Sequence, residues 1–123
     1  MRAESAIKST LRDGQTIRVL VANADVLAKR KDVIERFMRA YRESIDYMYS
    51  SNPQVIADYA EFARVPEPMA KRVRDEFFPK GLVNPDQIHG LDSLMSEAVN
   101  LKFIPAPLSK EQTSELIQIF PRK

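Results

Sequence analysis

The sequence holds no cysteine, no tryptophan, one histidine and only three glycines in 123 residues. Without cysteine there is no disulfide framework, no thiolate zinc site and no cysteine nucleophile. With a single histidine, His89, no His-based metal cluster or proton relay can be assembled. No Gly-rich phosphate loop, Walker pattern or G-x-S-x-G elbow occurs. Nor does any run approach the roughly 18 apolar residues that a membrane-spanning helix needs, so a soluble chain is expected. The opening Met1-Arg2-Ala3-Glu4-Ser5 is polar and has no apolar core, so no signal peptide is expected in the sequence as written. Charge of one sign is scarce too: 19 basic side chains face 17 acidic ones, leaving +2. That balance is no footprint for a polyanion, and no nucleic-acid partner is expected.

What is present is a pattern of short helices punctuated by proline. The apolar fraction of 44% is too high, and its charges too mixed, for intrinsic disorder. Ala3, Ala6, Ile7 and Leu11 predict a helix over 3–12, stopped by Gly14. Thr16-Ile17-Arg18-Val19-Leu20-Val21-Ala22 is the one stretch with the composition of a strand, apolar at nearly every position. A long helix is expected over 31–51, because Ile34, Phe37, Met38, Tyr41, Ile45 and Met48 form one stripe. Asn52-Pro53 should cap and open a helix to about residue 64, burying Ile56, Tyr59, Ala60 and Ala63. A further helix carries Met69, Val73 and Phe77 and is broken by Phe78-Pro79-Lys80-Gly81. Asn84-Pro85 with Gln87 repeats the capping logic for a helix reaching about Lys102 through Ile88, Leu91, Met95 and Ala98. Ser109 and Gln112 form a second capping box, opening a last helix through Leu116 and Ile117 towards Phe120. The expected fold is therefore mainly α, six helices with one N-terminal strand, as a single compact unit over residues 1–123.

Candidate chemistry is sparse. His89 reads as a surface or capping histidine. Carboxylates such as Asp75 and Glu76 fall on solvated helix faces rather than in a general acid–base pair. Tyr41, Tyr47, Tyr49, Tyr59, Phe37 and Phe62 crowd one helical hairpin, as core packing or as the lining of a pocket. Lys29, Arg30, Lys31, Arg36, Arg39 and Arg42 make the one locally basic stretch, against Asp32 and Glu35. It reads as a solvated face laced with i,i+4 pairs, with nucleic acid or anionic lipid as the weaker alternative. Asn52-Pro53 and Asn84-Pro85 hint at a repeat, but two copies are fewer than a solenoid requires. No catalytic residue, metal ligand or cofactor is expected.

One ordered set of residues adds to this reading. Val21-Ala22-Asn23-Ala24-Asp25-Val26-Leu27-Ala28-Lys29, then Val33 to Tyr41, then Tyr47-Met48-Tyr49-Ser50-Ser51-Asn52-Pro53 stand in sequence. Gly90-Leu91-Asp92, Ala98-Val99-Asn100-Leu101-Lys102-Phe103, Pro107-Leu108 and Glu111-Gln112 follow in the same order. Over about residues 16–120 the chain resembles the C-terminal third of the solute-binding proteins of nitrate-, sulfonate-, taurine- and thiamine-pyrimidine-type ABC importers. The resemblance implies part of a two-lobed α/β periplasmic-binding-protein fold, with residues 16–22 returning to the first lobe. It also implies a periplasmic parent that binds a small polar or anionic organic solute and delivers it to an ABC permease. Asn23, at the end of the strand and the start of a helix, is the position here that could face the ligand, against a plain capping role. The rest of both lobes, with most ligand contacts, lies outside these residues, so no enzymatic activity is implied. The alternative is a free-standing helical protein–protein interaction module. Either way the unpaired strand edges lead us to expect a homo-oligomer.

Overall fold

The structure is a computed structural model that describes residue 16 and residues 18–122. Six α-helices stand among the described residues: α1 (Ala24–Lys29), α2 (Lys31–Met48), α3 (Pro53–Ala63), α4 (Glu67–Arg72), α5 (Leu91–Asn100) and α6 (Lys110–Leu116). The mainly helical expectation holds. The helix expected over 3–12 lies outside the described residues, as does Ile17. The described residues fall into two compact units, Arg18–Pro85 with Arg122, and Thr16 with Asp86–Pro121.

The expected strand is the clearest correction. Arg18 to Ala22 adopt no regular secondary structure, and there is no strand among the described residues. Val19, Leu20 and Val21 are exposed, Val21 at 89%. The reason is topological: a strand satisfies its backbone only through a neighbouring strand, and none forms among the described residues.

In the larger unit, local chemistry sets the helix ends. Asn23 caps α1, its Oδ1 accepting from Asp25 N at 2.8 Å. A single residue, Arg30, separates α1 from α2, and its carbonyl accepts from Val33 N and Ile34 N at 3.0 and 3.2 Å. Asn52 caps α3 through Gln54 N at 3.0 Å, with Pro53 in the first turn as the sequence demands. The other end of α3 is closed by Arg64 at φ 55°, with Val65 N donating back to Ala60 O at 3.0 Å. That is a Schellman closure with arginine where glycine is usual. Then α4 continues into a wider π turn, Val73–Phe77, before Phe78 and Pro79 end it and a 3₁₀ turn covers Lys80–Val83. Helix α3 packs on α4, where Val55, Ala60 and Ala70 are buried. Two alanines in that set let the helix backbones approach closely.

The apolar stripe that predicts α2 is only half buried. At about 100° per residue, Met38, Arg42 and Ile45 fall on one edge, and Phe37, Tyr41 and Met48 on the other. Ile45 and Arg42 are buried, whereas Phe37 is 53% exposed and stacks on Tyr41 with ring centroids 6.0 Å apart. Helices α1 and α3 touch α2 without enclosing it, so the stripe is wider than the cover it receives.

The segment from Asn84 to Leu91 also departs from expectation. Asn84-Pro85 opens a turn and not a helix; α5 starts at Leu91, after Gly90 at φ 75°. Residue 89 is held outside a helix from both sides. Thr16 N donates to His89 O at 3.0 Å, and His89 N donates to Thr16 Oγ1 at 2.8 Å. Gln87 Oε1 lies 3.3 Å from His89 Nε2, and no helix begins at Pro85 for the expected capping box to close. The box at Ser109 forms in full: Gln112 N donates to Ser109 Oγ at 3.2 Å, and Ser109 N donates to Gln112 Oε1 at 2.9 Å. Its helix stops at Leu116, short of Phe120.

These burials separate two substitutions that the stripe alone would treat alike. Ile45→Ala should cost about 2–4 kcal/mol in urea melts. Phe37→Ala should cost about 1 kcal/mol or less, because half of the ring is already in water. The reverse order would place the buried edge of α2 on the wrong side. At the end of α3, Arg64→Gly should raise stability by about 0.5–1 kcal/mol, since glycine adopts positive φ without a Cβ clash.

Candidate functional site

Among the described residues, titratable and aromatic side chains converge at the junction between the end of α2 and the π turn. There the last carbonyls of α2 have no intrahelical donor. Arg74 supplies one, donating from Nη1 to Met48 O at 3.1 Å. Its guanidinium lies over the Tyr49 ring, 5.8 Å from the centroid, and its Nε donates to Asp75 Oδ1 at 2.7 Å. Tyr49 reciprocates by donating its hydroxyl to the Phe78 carbonyl. Asp75 also accepts from Lys71 one turn back, while Arg72 pairs with Glu76 at 2.9 Å and lies over Phe77. Lys80 adds an ion pair to Asp46 of α2 at 2.6 Å.

The charges follow from this geometry. Hydrogen bonds from Arg74, and then from Lys71, hold the Asp75 carboxyl down at about 2. Burial pushes the Tyr49 phenol above its ordinary value; the Arg74 cation opposes that, and Tyr59 and Asp75 reinforce it. Asp75 therefore stays ionised, Tyr49 stays protonated, and each has a structural partner. With only 12% of the Arg74 side chain exposed, the cluster is a fastener joining the end of α2 to the π turn. π turns of this kind recur at functional sites, and here the turn sets the residues that meet α2.

The residues singled out in the sequence are placed apart from it. Asn23 is exposed, with its Oδ1 spent on capping α1. His89 is exposed and bonded to Thr16 and Gln87. Asp75 and Glu76 point to separate cations and not to each other. Within the basic stretch, Arg36 pairs with Asp32 at 3.5 Å and Arg42 is buried. Of the aromatic group, Phe37 joins Tyr41 and Tyr49 joins Arg74, while Tyr47 and Phe62 are exposed. Among the described residues no group of three or more His, Asp or Glu could hold a metal ion. No helix among them is long and apolar enough to cross a membrane.

Arg74 is the residue that sequence reading missed. Its partners lie 26 residues away at Met48 and 25 away at Tyr49, beyond the reach of any local pattern. The only hint was negative: Tyr49 sits beside the α2 stripe and not in it.

No protein-family model, curated protein or solved structure matches this chain.

The fastener is testable by a double-mutant cycle. Arg74→Ala should cost about 1.5–3 kcal/mol and Tyr49→Phe about 1 kcal/mol. Their sum should exceed the double variant by at least about 0.5 kcal/mol, since both bind the same junction; strict additivity would mean that the two act separately. The pH dependence follows from Asp75. Its folded pKa of about 2 lies below the ordinary 3.8, so its contribution is present above pH 4 and disappears as pH falls towards 2. Asp75→Asn should flatten the stability profile in that window and nowhere above it.

Proposed function

We propose that the chain is the C-terminal part of a solute-binding protein of the nitrate-, sulfonate-, taurine- or thiamine-pyrimidine-type ABC importers. The observation that carries this reading is the segment Arg18–Ala22: strand-like in composition, exposed, and leading straight into the capped start of α1. A strand of that kind suits a place in a sheet supplied by the rest of a two-lobed α/β protein. The half-covered stripe of α2 supports the same reading, since a helix lying on a sheet uses a wide apolar face. In the parent, hinge closure over a small polar or anionic solute would precede delivery to the permease in the periplasm. Asn23 is the proposed solute-facing residue of this part; with its Oδ1 capping α1, its side-chain amide nitrogen is the group to donate to an anionic or carbonyl oxygen. No catalysis is proposed, because the converging groups at the α2 junction are bound to structural partners.

A helical interaction module is the second reading, favoured by Phe62, which is 87% exposed on α3. The reading frame upstream of the Met1 codon separates the two. A continuous frame encoding further strands and a second lobe is expected; a stop codon close upstream would overturn the solute-binding reading.

A further inference from the structure

The boundary between the two compact units falls just before Arg18, so the chain passes from Thr16 in one unit to the helices of the other through Arg18–Ala22. Connectors between units are where proteases act, because cleavage needs several residues laid along the enzyme's cleft with backbone groups free to bond to it. Arg18–Ala22 meets that need. All five residues are exposed and without regular secondary structure, and none shares a hydrogen bond with another described residue. Ile117–Phe120 is irregular too, but it holds no Lys or Arg, and Ile117 N donates to Thr113 O at 2.9 Å.

We propose that the Arg18–Val19 peptide bond is a proteolytic processing site for an endoprotease whose acidic primary pocket accepts a guanidinium. Arg18 is exposed and has no carboxylate partner among the described residues, so its cation is available to such a pocket. Hydrolysis consumes one water: the C–N bond between Arg18 and Val19 breaks, Arg18 keeps a carboxylate, and Val19 gains an α-ammonium. The cut divides Thr16, which holds both backbone groups of His89, from helices α1 to α4. Basic residues from Lys29 to Lys110 lack this combination. They lie in helices or helical turns, except for three at helix borders. Of these, Arg30, Arg64 and Lys102 each donate the backbone N–H to a carbonyl of the preceding turn. A bond inside a helix is cut only from an opened state, so its cleavage is slowed by the small population of that state. Arg122 is irregular but pairs with Asp46 at 3.6 Å. The proposal concerns this 123-residue chain and is independent of the solute-binding reading.

Limited digestion of the whole chain with trypsin, read by intact mass and N-terminal sequencing, tests it. The product should begin Val19-Leu20-Val21-Ala22 and keep its helical circular dichroism. It should form at least about tenfold faster than any cut between Lys29 and Lys110. Products are scored at residue 18, whichever bonds before residue 16 are cut. Arg18→Gln should abolish the Val19 product and leave the bonds of the helices as slow as in wild type. A lysine-specific endoprotease should make no cut between Lys29 and Lys110 in the same time. An Arg18–Val19 bond that outlasts any bond from Lys29 to Lys110 overturns the proposal. So does an early cut within α1 to α6 in either digestion, which would mean that the helices open as readily as the connector.

Discussion

Every buried or shielded backbone polar group needs a partner, and in this chain that requirement governs more of the structure than the hydrophobic core does. Only four apolar side chains among the described residues are buried, Ile45, Val55, Ala60 and Ala70. Helices meet the requirement internally along their length and leave it open at their ends. The ends are accordingly where this sequence is most specific. Asn23, Asn52 and Ser109 take N-termini, Arg64 closes α3 through its left-handed backbone, and Arg74 serves the last carbonyls of α2 from 26 residues away.

The same requirement explains what could be read from the sequence and what could not. The Asn-Pro start of α3 and the Ser109 box involve residues within three positions of each other, so sequence alone determines them. Asn84-Pro85 carries the same local signature and fails, because Thr16 engages both backbone groups of His89 and Gly90 turns left-handed. A partner 73 residues away outweighs the cap, and nothing near residue 84 announces it. The α2 stripe shows a second limit. Periodicity states which residues share a face; burial depends on what is laid against that face, and only the Arg42–Ile45 edge is buried. Arg18–Ala22 shows the third, since strand composition is a local property and a strand is not.

The junction at Arg74 belongs to the class of features that only the folded chain contains. Its members come from the end of one helix and from a π turn, and neither segment carries a recognisable motif. Their chemistry is self-contained: the cation faces a carbonyl, a carboxylate and a ring, and the phenol faces a carbonyl. Groups paired in this way hold two elements in register. The candidate site of the sequence, Asn23, differs in lying at the border between an unpaired segment and a helix.

That border also explains why exposure is so uneven along the chain. Sixteen large apolar side chains of the described residues are exposed, against the four buried. Some fall in runs, on Val19 to Val21 and on the Phe37 edge of α2, and others stand singly, such as Phe62 on α3. Solvated single hydrophobes are ordinary on any surface, but runs of this kind mark faces built for cover. The two kinds of cover they ask for differ in chemistry. A helix edge such as Phe37-Tyr41 needs only apolar area, and many surfaces can supply it. The segment 18–22 needs a ladder of backbone donors and acceptors in register, which very few can. Of the two kinds of face, the extended segment is the more selective, because its cover must match it in register as well as in area.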